Sequence, residues 1–93
     1  MSIKNQTIVK AAHICKAIAN EKRLQVLYLI VDKEMSVGEM MEKVNLSQSA
    51  LSQHLAVLRG YDIVKTRRNA QTIYYMLKDE KIKKILALLA ELF

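Results

Sequence analysis

Apolar side chains recur at helical spacing along the first part of the chain. Residues 6–19 carry them on one stripe, which predicts a first helix. Asn20 is a favourable N-cap residue, and a second set of apolar positions follows it, so a second helix is expected directly after the first. The first stripe consists of Ile8, Ala11, Ala12, Cys15, Ile18 and Ala19, and the second of Leu24, Leu27, Tyr28 and Val31.

Serines mark the starts of the next two helices. Ser36 and Glu39 have the spacing of a capping box, in which each side chain accepts a hydrogen bond from a free backbone N–H of the other, so a short third helix is expected at 36–43. Residues 44–46 form a tight connection to a fourth helix at 47–59, whose first residue is again a serine. This succession predicts a helix-turn-helix.

The pattern changes after the fourth helix. Residues 63–67 and 72–77 are rich in β-branched and aromatic side chains, which favour strands. The polar segment 68–71 between them contains Asn69, which readily takes a left-handed turn conformation, so the two stretches predict a β-hairpin. A last helix is expected from about Asp79.

Four helices, a hairpin and a closing helix predict a mainly α, winged helix-turn-helix domain. The chain has no proline and only two glycines, and it contains no linker or repeat, so a single domain over residues 1–93 is expected. Hydrophobic residues make up 52% of it, which is more than so short a chain can bury alone and points to a partner subunit.

The charge balance narrows the class of partner. The net charge is +6, which suits polyanions, nucleic acid first and an acidic membrane surface second. No apolar run approaches the roughly 20 residues of a membrane span, and residues 1–10 lack the apolar core of a secretion signal. A cytoplasmic protein that binds double-stranded DNA, with no membrane partner, is therefore expected.

The fourth helix divides into two faces on a helical wheel. The inward arc carries Ala50, Leu51, Leu55, Val57 and Leu58, and the outward arc carries Gln48, Ser49, Ser52, Gln53, Ala56 and Arg59. Solvated helix faces usually carry Glu and Lys, whereas Ser and Gln can hydrogen-bond to bases and phosphates, so DNA reading is favoured over an ordinary amphipathic helix. His54 falls within the apolar arc and is expected to make an internal hydrogen bond rather than contact a base.

The hairpin tip is the second candidate contact surface. Arg67, Arg68 and Gln71 cluster there, within reach of phosphates or the adjacent minor groove. The alternative is an edge hairpin that is merely protected by charge, but its place directly after a recognition helix favours DNA. The expected DNA-binding residues are Ser47, Gln48, Ser49, Ser52, Gln53, Arg59, Arg67, Arg68 and Gln71.

The terminal helices carry more apolar surface than one core-facing stripe needs. Pairing them across a two-fold axis would bury the surplus, whereas the alternative is that they cover only their own subunit. The expected dimer-interface residues are Ile8, Ala11, Cys15, Ile82, Ile85, Leu89, Leu92 and Phe93. Such a homodimer would place two recognition helices about 34 Å apart and predicts a palindromic operator.

Nothing in the sequence resembles an enzyme's active site. It has no nucleophile–base pair, no phosphate-binding glycine loop and no metal-ligand cluster, so no catalytic residue, cofactor or metal is expected. Its single cysteine excludes an intramolecular disulfide. The expected function is a sequence-specific, homodimeric transcriptional regulator that represses by occupying a palindromic operator. The same surface is also compatible with a nonspecific architectural nucleic-acid binder or an anti-repressor, and the last helix with a protein-interaction module.

Three segments resemble the ArsR/SmtB family of repressors, with a closer likeness to its sulfur-responsive branch, the BigR and HlyU type. They are LSQSALSQHLAVLR at 46–59, TRR at 66–68 and AQTIYY at 70–75. The resemblance implies a dimeric repressor that a signal releases from its operator.

The sensing residues of that family are not matched. Arsenic sensors place thiolates at the start of helix 3, and zinc sensors place histidines on the last helix, but this chain has neither. The sulfur-responsive branch uses two cysteines; the first aligns with Tyr28, and the second would fall beyond Phe93. Cys15 is expected to pack rather than to act as a redox sensor.

Overall fold

The structure is a computed structural model that describes residues 1–93. The elements are α1 (Asn5–Ile18), α2 (Glu21–Leu29), β1 (Met35–Ser36), α3 (Val37–Met41), α4 (Gln48–Gly60), β2 (Val64–Asn69), β3 (Thr72–Leu77) and α5 (Glu80–Leu92). The mainly helical winged helix-turn-helix predicted from the sequence is confirmed, with β2 and β3 as the wing.

The predicted helix starts are correct because short polar side chains satisfy the first backbone N–H groups. The Asn20 side chain accepts a hydrogen bond from Arg23 N at 3.0 Å. Ser36 and Glu39 form the complete capping box of α3, and Ser47 Oγ accepts from Ala50 N at 3.1 Å at the start of α4.

The sheet differs from the predicted hairpin in one strand and one turn residue. It has three strands in the order β1-β3-β2, because Met35 and Ser36 pair with Tyr75 and Tyr74. Two residues are too few for a periodic signal, so β1 was not expected. Asn69 is the last paired residue of β2, and Ala70 instead takes the left-handed turn conformation, with φ 57°.

The core consists of buried hydrophobic residues from every helix and from the sheet, and it contains no buried polar side chain. α4 contributes Leu51, Leu55 and Leu58, which anchor it under the sheet and against α2. α1 contributes only Ala17 fully, because most of its predicted stripe, Ile8, Ala11, Ala12 and Cys15, is solvent-exposed in the single chain, and only Ile18 of that stripe packs against the core.

The structure bears on two expectations about buried residues, and the internal hydrogen bond expected of His54 is wrong. Ile82, expected at a dimer interface, lies in the core of its own chain with 5% of its surface exposed, because α5 turns it towards the sheet. His54 is half-buried, and its ring makes no hydrogen bond within the chain, because its nitrogens are not fully buried and keep contact with solvent. No helix combines the length and apolar character that a membrane span requires.

Candidate nucleic-acid interface

One face of α4 is uncovered. Gln48, Ser49, Ser52 and Gln53 are all exposed, and none of their side chains makes a hydrogen bond within the chain. Leu51 and Leu55 on the opposite face are buried, which fixes the rotation of the helix about its axis. The polar side chains are therefore held outward with their donors and acceptors free. This is the arrangement that the sequence predicted for the four residues.

The ends of α4 carry two further residues of the predicted set. Ser47 is exposed, but its Oγ already accepts the backbone hydrogen bond that starts the helix. Arg59 lies in the last turn, where its guanidinium carbon is 5.9 Å from the ring centroid of Tyr75. At this distance a cation–π contact orients the side chain without removing it from solvent.

The wing brings its predicted residues into two different environments. Arg68 and Gln71 are exposed and have no side-chain hydrogen bond or ion pair. Arg67 is held within the chain, since its Nε donates to Glu34 Oε2 at 3.1 Å and its Nη2 donates to Oε1 of the same carboxylate. Its guanidinium carbon also lies 4.6 Å from the ring centroid of Tyr74.

The ion pair shifts the pKa of each of its members in the direction that favours the charged form. The hydrogen bond from Arg67 lowers the pKa of Glu34 below its ordinary value, and burial opposes this only in part. The same hydrogen bond raises the pKa of Arg67. Both groups therefore stay ionised at neutral pH, and their charges cancel locally. The sequence did not indicate that Glu34 and Tyr74 contact Arg67.

The second surface of interest is apolar and involves the terminal helices. On α1, Ile8 is 52% exposed and Ala11 and Cys15 are exposed beside it. On α5, Leu92 is 64% exposed, while Ile85 and Leu89 are half-buried. Phe93, directly after α5, is 99% exposed. Seven of the eight residues expected at a dimer interface thus keep accessible surface in the single chain.

No group of three or more His, Cys, Asp or Glu side chains lies close enough together to hold a metal ion. Cys15, the only cysteine, is exposed and unpaired.

Comparison with known proteins identifies the family. The model of the bacterial regulatory protein, arsR family, matches residues 20–66, which run from the cap of α2 to the middle of β2. The transcriptional activator HlyU of Vibrio cholerae is 50% identical over 90% of this chain and 78% of its own length. The solved structure of HlyU from Vibrio cholerae superposes with a TM-score of 0.92 at 47% identity, covering 97% of this chain and 98% of that one.

Two further solved structures are similar. The transcriptional repressor BigR from Xylella fastidiosa has a TM-score of 0.85 at 33% identity, over 98% of this chain and 97% of that one. A homodimeric winged helix-turn-helix DNA-binding domain of Mycobacterium bovis, Mb0332, has a TM-score of 0.84 at 25% identity, over 99% of this chain and 89% of that one.

These matches confirm the resemblance drawn from the three sequence segments, including the likeness to the HlyU and BigR type and the lack of a cysteine pair. The chain belongs to the arsR family of bacterial regulatory proteins and is a non-enzymatic, DNA-binding transcriptional regulator with a winged helix-turn-helix fold.

Proposed function

We propose that this regulator works as a homodimer in the cytoplasm, binds a palindromic operator and represses transcription by occupying the promoter. The observation that carries the proposal is the exposed row of Gln48, Ser49, Ser52 and Gln53, whose hydrogen-bonding groups have no partner in the chain. A helix is narrow enough to enter the major groove, where the four base pairs present distinct donor and acceptor patterns.

Each polar residue has a role that its chemistry supports. A glutamine amide can pair with the N6 and N7 edge of adenine, and a serine hydroxyl can donate to or accept from bases and phosphates. Ser47 and Arg59, at the two ends of α4, lie where the strands of the duplex would flank the helix. Arg68 and Gln71 on the wing are free to reach a phosphate or the minor groove.

The apolar residues of α1 and α5 support the homodimer. The exposed stripe on α1 faces away from its own core, and Leu92 and Phe93 extend the apolar surface at the end of α5. A second copy related by a two-fold axis would cover equivalent surfaces on both subunits. The similarity to the homodimeric Mb0332 domain supports this assembly. Two recognition helices would then meet half-sites about 34 Å apart.

A second candidate function is activation by displacing another repressor. The relative at 50% identity is described as a transcriptional activator, whereas BigR is described as a repressor. Both functions use the same DNA-binding surface, because each requires only that the dimer occupies a promoter site. Transcription by purified RNA polymerase on the operator promoter separates them: a repressor lowers it without any other protein, and an anti-repressor leaves it unchanged.

Selection of bound fragments from genomic DNA, followed by footprinting, tests the proposal. We expect one protected palindrome, bound about 10³-fold or more tightly than random DNA at the same salt concentration. Equal affinity for random DNA would instead indicate an architectural binder. A monomer in solution without DNA affinity would contradict both readings and would favour α5 as the contact surface of a protein-interaction module.

A further inference from the structure

The wing carries two adjacent arginines on opposite faces of β2. Arg67 lies opposite Tyr74 in the hairpin, and Arg68 lies opposite Ile73. Successive side chains of a strand point to alternate faces of the sheet, so the two guanidinium groups project in opposite directions. When the wing docks on DNA, the two guanidinium groups therefore cannot both point at the DNA backbone in the same way. We treat the two arginines as having separate roles.

The guanidinium of Arg67 already forms an ion pair with a carboxylate of the same chain. Glu34 engages its Nε and its Nη2 together, which is the bidentate pairing that an arginine also makes with a phosphate. The guanidinium carbon of Arg67 also lies over the Tyr74 ring, 4.6 Å from its centroid. The pair has no net charge, so it would release no counterions from DNA. A phosphate could take Arg67 only by leaving the Glu34 carboxylate unpaired beside a polyanion.

Glu34 connects this arginine to the helix-turn-helix. It directly precedes β1, and Ser36 at the end of β1 caps α3. In the sheet order β1-β3-β2, the strand β3 separates β2 from β1, so no backbone hydrogen bond joins the outer strand of the wing to β1. The contact between Arg67 and Glu34 spans β3 and makes that connection through side chains.

Arg68 differs in each of these respects. It is exposed, and it has no ion pair, no side-chain hydrogen bond and no aromatic ring in cation–π contact. Its charge is therefore available to neutralise a phosphate.

We propose that Arg67 is a positioning residue of the DNA interface and that Arg68 is the phosphate-contacting cation of the wing. With Glu34 and Tyr74, Arg67 holds the wing at a fixed angle to α3 and α4, so that α4 and the wing meet the duplex together. This inference rests on the proposed DNA-binding function, and it replaces the expectation that both arginines contact DNA.

The salt dependence of operator binding separates the two roles. In a homodimer, Arg68→Ala removes up to two phosphate contacts, so the slope of log K against log salt is expected to lose about 1.8 in magnitude. The double variant Arg67→Ala with Glu34→Gln removes both charges of the neutral pair, so it is expected to weaken binding by about three- to tenfold, because the wing is held less firmly, and to leave the slope unchanged. A slope that falls as far in this double variant as in Arg68→Ala overturns the proposal.

Glu34→Gln distinguishes the same two roles by the sign of its effect. If Arg67 positions the wing, loss of the carboxylate weakens operator binding. If Arg67 is a phosphate contact that Glu34 restrains, the same substitution tightens binding and steepens the salt slope, which overturns the proposal. Glu91→Gln is the matched control, because Glu91 is exposed on α5, has no ion pair and gives the same change in net charge.

Hydrogen exchange of the wing amides tests positioning without DNA. Exchange in β2 and β3 is expected to be faster in Arg67→Ala and in Glu34→Gln than in the wild type, and unchanged in Arg68→Ala. Equal exchange in all four proteins overturns the positioning role. A wild-type protein that prefers no operator to random DNA would contradict the proposed function instead, and the exchange comparison would still report on Arg67.

Discussion

Gln53 and Gln25 are both exposed glutamines on helices, but they lie in different settings. Gln53 belongs to the free polar row of α4, whereas Gln25 lies on α2 outside that row. Under the proposed function only Gln53 reaches the edge of a base. Comparing the DNA affinities of variants at these two glutamines therefore tests directly whether the exposed polar row of α4 contacts bases.

We expect Gln53→Ala to reduce affinity for the selected operator by about 1–3 kcal/mol per half-site and to leave affinity for random DNA unchanged, because the lost hydrogen bonds go to a base. Titration of labelled operator and random duplexes at one salt concentration measures both. Gln25→Ala serves as the control and should bind like the wild type. Equal losses on the two duplexes would show that Gln53 contacts the backbone rather than a base.

The Glu34 carboxylate predicts a pH dependence of stability. Its pKa in the folded chain is lowered by Arg67, so it is below the value in the unfolded chain. The unfolded state then binds more protons between the two values, and the stabilisation is complete above about pH 4.3 and is lost as pH falls through the folded pKa.

Thermal unfolding from neutral to acidic pH checks this sign. The midpoint of the wild type should exceed that of Glu34→Gln by a small and constant amount at neutral pH, and the gap should close in acid. Glu91→Gln, at a residue without an ion pair, should show no gap at any pH. A gap that widens in acid would mean that the carboxylate destabilises the folded chain.

At the scale of elements, Ser47 has two possible roles that can be measured separately. It was assigned to DNA from the sequence, but its Oγ also accepts the hydrogen bond that begins α4. Ser49, one residue into the same helix, is exposed and makes no such bond.

Ser47→Ala is expected to lower the free energy of unfolding by about 1 kcal/mol, which is typical for loss of an N-cap, while Ser49→Ala should change it by less than about 0.5 kcal/mol. Urea titrations of both variants make the comparison. If the two serines prove equally important for stability, the cap contributes little to α4, and the effect of Ser47 on DNA binding belongs to a direct contact.

The elements that the sequence predicted are those whose signals are local. Asn20, Ser36 and Ser47 cap helices through bonds to residues three positions away, so the helix starts could be placed correctly. The outward face of α4 could be predicted for the same reason, because three buried leucines at helical spacing determine its rotation.

What the sequence did not reveal depends on residues that are distant along the chain. β1 exists only because Met35 and Ser36 meet β3, forty residues later at Tyr75. The partner of Arg67 is missed for the same reason, since Glu34 lies 33 positions away. The left-handed conformation falls on Ala70, because the register of β2 and β3 leaves a two-residue loop there and Asn69 remains paired with Thr72.

At the scale of the whole molecule, the exposed stripe of α1 is the feature that a single chain does not explain. Exposed apolar side chains scattered singly are common, but here Ile8, Ala11, Ala12 and Cys15 are contiguous along one face of a helix. The core is complete without them, because Ala17 and its neighbours on the other face attach α1 to the domain. Under the proposed homodimer, a partner surface, not the folding of the protomer, accounts for the stripe.

Ile8→Glu therefore separates dimerisation from folding. A carboxylate at this position would be buried against apolar side chains of the partner without a compensating charge, so we expect the variant to be monomeric at micromolar concentration while its circular dichroism matches the wild type. Operator affinity should fall much further than half-site affinity, since only a dimer engages both half-sites at once. Lys16→Glu, on α1 but outside the stripe, is the control for a carboxylate on this helix and should remain dimeric. Light scattering with operator and half-site titrations decides the matter, and a dimeric Ile8→Glu that binds the full operator normally would place the interface elsewhere.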